Sequence, residues 1–270
     1  MGTKSQLKTP ITYWGGKQQL INKTLPLFPV HKQYNEPFFG GGALFFAKEP
    51  AEIEFINDIN GEIVNFYRTL KRNFDALKDE VDCTLHSEFL HRQAREIHNN
   101  PLSHSDVLRA WAVWMLSKQS IYSIFTNGWS VSIDKNKAKQ IQWSKEQFTL
   151  LYARRLERTS IFSRDALNVI ESTDTPTTFH YVDPPYFNAD MGHYGGYSKS
   201  DFICLLDTLS KVEGKFILSS YPSDVLSEFI MRHKWYSMDI DMPRSAGGGK
   251  KTEVLTMNYS RSFPKQLYLF

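Results

Sequence analysis

The tetrapeptide Asp183-Pro184-Pro185-Tyr186 lies directly behind a short apolar run, residues 179–182. Such a run is typical of a buried strand. Each proline fixes φ and lacks a backbone N–H, so the strand must end here. The carbonyls before the two prolines are therefore not used by a continuing ladder. The sequence predicts a strand that ends on a carboxylate, fixed carbonyl groups and an aromatic ring.

These groups suit chemistry on a planar amine. The amino group of adenine or cytosine is a poor nucleophile, because its lone pair is delocalised into the ring. Asp183 and the carbonyl of Pro184 can accept its two hydrogens and localise that pair, while Tyr186 stacks on the base. The alternative is a simple Asp-Pro-Pro turn beside a core tyrosine.

A run of three glycines, residues 40–42, follows a short aromatic stretch and precedes a predicted helix at residues 43–47. Strand, glycine turn and helix are typical of a Rossmann-like ligand loop. Phe45 occupies the third glycine position of the nicotinamide fingerprint, and the Lys-Ser/Thr pair of a phosphate-binding P-loop is missing. Both of those ligand classes are therefore disfavoured, and a flexible turn is the alternative.

Residues 52–58 alternate as a strand that ends on Asp58. In doubly wound sheets, the acid that ends the second strand faces the ribose of the cofactor. Asp58 is thus a candidate for a ribose contact. Either Asp58 or Asn60 could instead cap the amphipathic helix predicted over residues 61–74.

Taken in this order, the motifs resemble those of Dam-type (class alpha) DNA adenine-N6 methyltransferases. Residues 13–17, two aromatics followed by Gly-Gly-Lys, resemble the amino-terminal cofactor motif of that family. Residues 243–259, with Pro-Arg-Ser, Lys-Thr-Glu-Val-Leu and Asn-Tyr, resemble its closing segment. The family often has Lys-Trp-Ala where this chain has Thr12-Tyr13-Trp14, which leaves open which aromatic lines the cofactor pocket.

The resemblance implies an α/β, Rossmann-like fold with a seven-stranded sheet and methyl transfer from S-adenosylmethionine to N6 of a flipped adenine in duplex DNA. The tetrapeptide at residues 183–186 would be catalytic. Asp165, behind a strand predicted at residues 159–162, would contact the cofactor or cap the next helix. The residues expected around the cofactor are Tyr13, Trp14, Gly15, Gly16, Lys17, Glu36, Pro37, Phe38, Gly40, Gly41, Gly42, Asp58, Asp165 and Asp183.

The predicted strands and helices alternate except over residues 81–152, where no strand is indicated. We expect residues 1–80 and 153–270 to form the catalytic domain and residues 81–152 an inserted, mainly helical target-recognition domain. Within the insertion, the pattern predicts a helix at 105–125 and a polar loop at 126–142. The last two strands, near residues 236–242 and 252–259, should form an antiparallel hairpin.

The insertion and two later loops combine cations, amides, hydroxyls and aromatics, as DNA-contacting surfaces do. A lysine-rich loop is also often a solvated surface. The Arg154-Arg155 pair could bind phosphate or form ion pairs, and the helical spacing of Trp111, Trp114 and Met115 predicts core positions. The residues expected to contact DNA are Lys118, Tyr122, Asn127, Trp129, Lys135, Lys137, Lys139, Tyr194, Tyr197 and Arg244.

The composition is that of an ordinary globular protein. A net charge of +3 permits a polyanionic partner but does not indicate one. Cys83 and Cys204 are isolated in the sequence, so neither a disulfide framework nor a metal site is expected. Since no bilayer-spanning segment or signal peptide is evident, we expect a cytoplasmic protein of a bacterium or phage.

Two other functions remain open from the sequence. One is methyl transfer to RNA, cytosine N4 or a protein amide, and the other is a catalytically silent DNA-binding regulator. A restriction enzyme acting on the same site is a candidate partner. The recognition sequence and the oligomeric state are not indicated by the sequence.

Overall fold

The computed structural model describes residues 7–188, 196–243 and 250–260. Seven strands form a mixed sheet within this part of the chain, which confirms the predicted α/β class. They are β1 (Gln33–Glu36), β2 (Ile53–Asn57), β3 (Thr159–Phe162), β4 (Thr178–Val182), β5 (Lys215–Ser220), β6 (Tyr236–Pro243) and β7 (Lys250–Met257).

The chain divides into two compact units. The first comprises Met1–Leu25 and Phe39–Asp165, and the second comprises Pro26–Phe38 and Ala166–Phe270. The α-helices of the first unit are α1 (Ile21–Thr24), α2 (Ala43–Ala47), α3 (Gly61–Arg72), α4 (Phe74–Cys83), α5 (Glu88–Asn99), α6 (Asp106–Gln119), α7 (Lys137–Glu146) and α8 (Leu151–Arg155). Those of the second unit are α9 (Ala166–Thr173), α10 (Lys199–Leu209) and α11 (Asp224–His233).

In the first unit, β2 and β3 pair in parallel, with Glu54 opposite Thr159 and Asn57 opposite Phe162. In the second unit the strand order is β1-β4-β5-β7-β6. Strands β1, β4 and β5 are parallel, whereas β7 pairs antiparallel with both β5 and β6. The predicted hairpin is therefore confirmed for its strands, and residues 244–249 between them lie outside the described residues.

Strand β4 is buried at all five positions, as expected for a parallel strand covered on both faces. One of its side chains, Val182, joins the core cluster of the second unit. That cluster also contains Phe202 of α10, Phe216 and Leu218 of β5, and Phe229 of α11. Because β4 is held inside this core, the tetrapeptide that follows Val182 begins from a fixed position.

The residues predicted as an insertion are largely helical, but the bounds of the helices within them differ from the prediction. The helix expected over residues 105–125 ends at Gln119, since the backbone of Ser120 is extended with a ψ of 150°. The polar loop expected over 126–142 is wrong in its second half, where Asn136 caps α7 by accepting the N–H of Lys139. Residues 81–152 lie in the same compact unit as residues 39–80, and their recognition role stays a prediction.

The cluster predicted as core in α6 is confirmed, because Trp111, Trp114 and Met115 are all buried. Within the described ranges, every helix is too short or too polar for a membrane span.

A buried ion cluster holds β2 in the first unit. Glu54 accepts hydrogen bonds from Lys48 at 2.5 Å and from both terminal nitrogens of Arg155. Burial by itself would raise the pKa of Glu54, but Arg155 and Lys48 outweigh it and hold that pKa below its ordinary value. Arg155 also lies 3.6 Å from the centre of the Phe45 ring. Of its two predicted roles, Arg155 therefore fills the ion-pair role.

We predict that Glu54→Ala lowers the free energy of unfolding by about 3–5 kcal/mol, because it leaves two buried cations without their carboxylate. Glu52→Ala is the matched control, since this glutamate is exposed on the same segment, and should change stability by less than about 0.5 kcal/mol. Urea unfolding followed by circular dichroism measures both. Because the pKa of Glu54 is lowered, its contribution should be lost only as the pH falls through that lowered value. Equal unfolding midpoints for the two variants would contradict this account.

Candidate active site

The glycine loop of the first unit is a tight turn leading into α2. Phe39 donates its N–H to the carbonyl of Asn57 at 2.9 Å, and Gly42 donates to the carbonyl of Phe39 at 2.8 Å. Gly40 and Gly42 have φ values of +48° and +63°, which disfavour any residue with a Cβ. The hydroxyl of Tyr67 donates to the carbonyl of Gly40 at 3.0 Å. The turn is thus fixed from β2 and from α3.

Close packing also requires glycine in this loop. A Cβ on Gly42 would lie 2.4 Å from Cζ of Phe39, and one on Gly40 would lie 2.9 Å from Cδ1 of Tyr13. A Cβ on Gly41 would lie 3.3 Å from Cβ of Tyr13. The side chain of Tyr13 therefore packs directly against the loop.

Asp58 lies immediately after β2 and is held by two backbone groups. Its Oδ2 accepts the N–H of Gly40 at 2.8 Å, and its Oδ1 accepts the N–H of Asn60 at 2.9 Å. Asn60 caps α3 by accepting the N–H of Glu62, so the capping alternative for Asp58 is not the one adopted. Burial raises the pKa of Asp58, and the two backbone hydrogen bonds oppose that shift. Asp58 therefore presents a fixed carboxyl group beside the glycine loop.

The two aromatic side chains of the amino-terminal motif, Tyr13 and Trp14, contact different partners. Tyr13 meets Phe125 edge to face, with ring centres 5.8 Å apart, and Trp14 meets Tyr122 at 6.1 Å. The N–H of Gly16 donates to the carbonyl of Tyr13, while Nζ of Lys17 donates to the carbonyl of Gly15 at 2.9 Å. Burial, with the charge of Asp58, raises the pKa of Tyr13 to about 12. Its contact with the glycine loop makes Tyr13 the better candidate of the two to line a cofactor pocket.

Asp165 follows β3 at the end of the first unit. Just before it, Arg164 exchanges two hydrogen bonds with the side chain of Asn57, at 3.0 and 3.1 Å. These bonds fix the chain between β3 and α9. The two alternatives for Asp165, cofactor contact and helix cap, both remain open.

In the second unit, the tetrapeptide follows β4 as predicted. Pro184 is buried, and the other three residues are partly exposed. The hydroxyl of Tyr186 lies 3.1 Å from Oδ1 of Asp183 and 3.0 Å from Oγ of Ser219, and it donates to Glu253. The ring of Tyr186 meets Tyr221 edge to face at 4.5 Å. The aromatic ring is thus tied to β5 and β7 through its hydroxyl.

Acidic groups surround the tyrosines at this end of β4. Burial raises the pKa of Tyr186 well above its ordinary value, and the charges of Asp183 and Glu253 raise it further. The pKa of Tyr181 is raised by burial and then by Asp183, Glu36 and Glu253. Both phenols therefore keep their protons in the neutral pH range, and the surrounding field is negative.

The remaining cofactor candidates of the second unit lie at and behind the end of β1. Glu36 is 3% exposed, and its Oε2 accepts the hydroxyl proton of Tyr34 at 2.7 Å. Pro37 follows, and Phe38 packs against the core cluster of this unit. Phe38 thus anchors the chain at the point where it leaves β1.

The predicted DNA-contacting residues fall into several environments. Tyr122, Lys135 and Lys139 are exposed, and Lys137 is partly exposed at the start of α7. Trp129 is tethered instead, since its Nε1 donates to Gln119 at 3.2 Å. The side chain of Asn127 donates to the carbonyl of Ile121, and Tyr197 packs on the core cluster of the second unit. Tyr194 and Arg244 lie outside the described residues.

Lys118 faces a cavity of about 210 Å³ in the first unit. Its ammonium group lies 3.3 Å from the hydroxyl of Thr12, and Lys8 lines the same cavity above the Trp143 ring. No acidic side chain of the described residues lines it. Burial lowers the pKa of Lys118 to about 8. The cavity therefore carries two cations and only neutral partners.

Sequence reasoning missed Glu253 and Ser219 as site residues. Glu253 belongs to the closing segment that resembles the family, but no role followed from the motif. A glutamate directly before the apolar pair Val254-Leu255 in a strand is the signal that was available, since a buried carboxylate needs specific partners.

Comparison with known proteins assigns the family. The sequence profile of D12 class N6 adenine-specific DNA methyltransferases matches residues 13–238. The type II methyltransferase M1.LlaDCHI of Lactococcus lactis subsp. cremoris is 29% identical over 283 residues, covering 93% of this chain and 95% of that protein. M.MjaIII of Methanocaldococcus jannaschii, also a type II methyltransferase, is 26% identical over 72% of this chain and 74% of its own length.

A shorter match links the chain to the DNA N-6-adenine-methyltransferase of Escherichia phage P1. It is 35% identical over 74 residues, which is 27% of this chain and 10% of that protein. The chain belongs to the D12 class family and is a site-specific DNA adenine methyltransferase. The predicted family, enzyme class and DNA substrate are thereby confirmed.

We predict that Gly42→Ala lowers stability by about 1–3 kcal/mol, because alanine is strained at positive φ and its methyl group meets Phe39. The variant should also lose affinity for the methyl-donor cofactor. Gly61→Ala is the control, since a Cβ there meets nothing within 4 Å, and stability should be unchanged or slightly higher. Thermal unfolding and equilibrium binding of the methyl donor measure the two effects. Equal behaviour of the two variants would contradict the proposed strain.

Proposed function

We propose that the enzyme uses S-adenosylmethionine and methylates N6 of an adenine that has been flipped out of duplex DNA. The observation that carries this proposal is the tetrapeptide: a partly exposed Asp183 and a proline carbonyl end a buried strand, beside a tethered aromatic ring. Such groups can hold an exocyclic amine without a general base.

The first unit supplies groups that suit the nucleoside part of the donor. The glycines at 40 and 42 allow close approach of the backbone, and Tyr13 packs beside them. A carboxylate has about four acceptor sites, and Asp58 uses two for Gly40 and Asn60. Its remaining lone pairs can accept hydrogen bonds from the hydroxyl groups of a ribose. The rest of the predicted cofactor set, including Trp14, Lys17 and Asp165, stays a prediction.

The second unit suits a positively charged donor. Of the neighbouring carboxylates, Asp183 and Glu36 act most strongly on the hydroxyl of Tyr181, so two acidic groups share one region of the unit. A field of this sign favours a sulfonium cation. S-adenosylmethionine, when bound, supplies an electrophilic methyl group on such a cation.

For the acceptor, Asp183 and the carbonyl of Pro184 accept the two hydrogens of the adenine amine. This holds the nitrogen lone pair out of conjugation with the ring and directed at the methyl group. Tyr186 supplies a stacking surface for the extruded base. In the transfer, an N–C bond would form as the S–C bond breaks, a neutral thioether would leave, and the nitrogen would take up the positive charge. The cationic nitrogen is acidic and would then lose a proton to solvent. Orientation contributes most of the rate in this scheme.

We predict that Asp183→Ala lowers the methyl-transfer rate by about 10³-fold or more, because the amine loses its charged acceptor. Affinity for the target duplex should fall by no more than about 10-fold, and thermal stability should change little. Asp207→Ala, an exposed aspartate on α10, is the control and should leave the rate unchanged. Single-turnover transfer of labelled methyl groups is the measurement. Near-normal turnover by Asp183→Ala would remove the proposed role.

The exposed lysines of the α7 region are proposed as phosphate contacts. Lys135 and Lys139 are exposed, and Lys137 lies between them at the start of α7. Lys118 differs, because it faces the cavity that also carries Lys8. It stays a candidate for a phosphate of the bound DNA.

Replacing Lys135, Lys137 and Lys139 by glutamine should weaken DNA binding and flatten its salt dependence. Each lysine that neutralises a phosphate should lower the slope of log K against log salt by about 0.9. A matched triple change at Lys32, Lys211 and Lys234, all exposed in the second unit, alters the net charge equally and should leave the slope near its original value. Equal slopes for the two triple variants would assign the α7 lysines to plain solvent exposure.

We further propose that the enzyme protects its site against a cognate restriction enzyme, since two of its relatives carry the name type II methyltransferase. Modification-sensitive sequencing of DNA from expressing cells would identify the base and the motif. Methylation of cytosine N4 alone, or of no DNA, would support the rival functions instead. The cytoplasmic location stays a prediction.

A further inference from the structure

Glu253 is a buried carboxylate in the second unit. It is 1% exposed in the middle of β7, where it pairs across the sheet with Ile240 of β6. A carboxylate in such a position is costly unless hydrogen bonds satisfy it. Two hydroxyl groups do so: Ser219 donates to its Oε1 at 2.6 Å, and Tyr186 donates to the same oxygen.

The sheet register brings these groups onto one face. Ser219 of β5 pairs antiparallel with Leu255, which is two residues from Glu253. Side chains two residues apart in a strand point to the same face, so Ser219 and Glu253 are diagonal neighbours. The position of Glu253 is therefore set by strand pairing rather than by a loop.

The hydroxyl of Tyr186 has one proton, and among the described residues three side-chain oxygens lie within hydrogen-bond distance of it. They belong to Asp183, Ser219 and Glu253. Because Ser219 also directs its proton to Glu253, the carboxylate of Glu253 collects both hydroxyl groups. This arrangement restricts the orientation of the phenol ring, whose oxygen also lies 3.1 Å from Oδ1 of Asp183.

We propose that Glu253 is a positioning residue for methyl transfer, acting through the hydroxyl of Tyr186 on the plane of its ring. The inference rests on the proposed roles of Asp183 and Tyr186. The tetrapeptide is a loop behind β4, and Glu253 connects it to a strand on the far side of β5. Without this connection, the ring on which the base stacks would be free to tilt. Misplacement by about 1 Å can lower a rate by about 100-fold.

Two conservative variants distinguish the effect of the side-chain length of Glu253 from the effect of its charge. Glu253→Gln keeps the length and an acceptor oxygen but removes the charge, so it should retain the single-turnover rate within about 5-fold. Glu253→Asp keeps the charge but withdraws the oxygen by one methylene, so it should lower that rate by about 10- to 100-fold. The affinity for DNA should stay within about 3-fold for both, since Glu253 acts on orientation rather than binding.

A double-mutant cycle with Tyr186→Phe tests the route of the effect. If Glu253 acts through the hydroxyl, adding Glu253→Asp to the Tyr186→Phe enzyme should change its rate by less than about 3-fold. An equal loss in both backgrounds would overturn the proposal, because a merely structural glutamate acts independently of that hydroxyl. Retention of the rate by Glu253→Asp with loss in Glu253→Gln would also overturn it, in favour of a role for the charge.

Asp183→Ala, assayed beside these variants, distinguishes a failure of the proposed role of Glu253 from a failure of the proposed role of Asp183. If Asp183→Ala is inactive and the cycle shows independent effects, the role of Glu253 fails and the proposed function stands. If Asp183→Ala turns over normally, the amine-holding mechanism of the proposed function fails and the role of Glu253 falls with it. Thermal unfolding of every variant identifies any rate loss that comes from loss of the folded state.

Discussion

The end of β4 is the constraint on which the second unit depends. Val182 is fully buried in the core, and the next two backbone N–H donors after Asp183 are missing because both positions are proline. Because β4 is buried and two prolines follow it, the backbone at Asp183 has little conformational freedom. The chemistry proposed for the enzyme uses that rigidity, since an amine must be held at a fixed distance and angle to attack a methyl group.

In the first unit, close packing and backbone hydrogen bonds hold the glycine loop and Asp58 in place. Its glycine loop needs positive φ and close contacts with Tyr13 and Phe39, and Asp58 is held to it through the N–H of Gly40. The buried ion cluster around Glu54 fixes the strand that precedes Asp58. Backbone hydrogen bonds, rather than mobile side chains, therefore set the position of the carboxyl group proposed to bind ribose.

Much of this was predictable from local sequence. Strand β3 matches its prediction, and β4 begins only one residue earlier than predicted. For β4 the reason is that a short apolar run bounded by turn residues is a strong signal. The helix α7 was missed, since its start is polar and its lysines are typical of a loop. The separate environments of Tyr13 and Trp14 also required the structure, because adjacent aromatics cannot be told apart by spacing.

Contacts between residues that are far apart in the chain could not be predicted from the sequence. Glu253 is 67 residues from Tyr186, and Arg155 is 101 residues from Glu54. Such contacts depend on strand order and register, and a shift of one residue would turn Glu253 to the opposite face. The motif around Glu253 could be recognised, but its partners follow only from the pairing of β5 with β7.

The central claim, that Asp183 grips the target amine, is tested most directly by comparing two duplexes. One carries adenine at the target position, and the other carries purine, which lacks the amino group. Binding is measured with S-adenosylhomocysteine present, so that no transfer occurs. The account predicts that the wild-type enzyme binds the adenine duplex about 10-fold more tightly, since the acceptors are otherwise left unpaired, and that Asp183→Ala binds both duplexes equally. Equal binding by the wild-type enzyme, or a preference retained by Asp183→Ala, would contradict it.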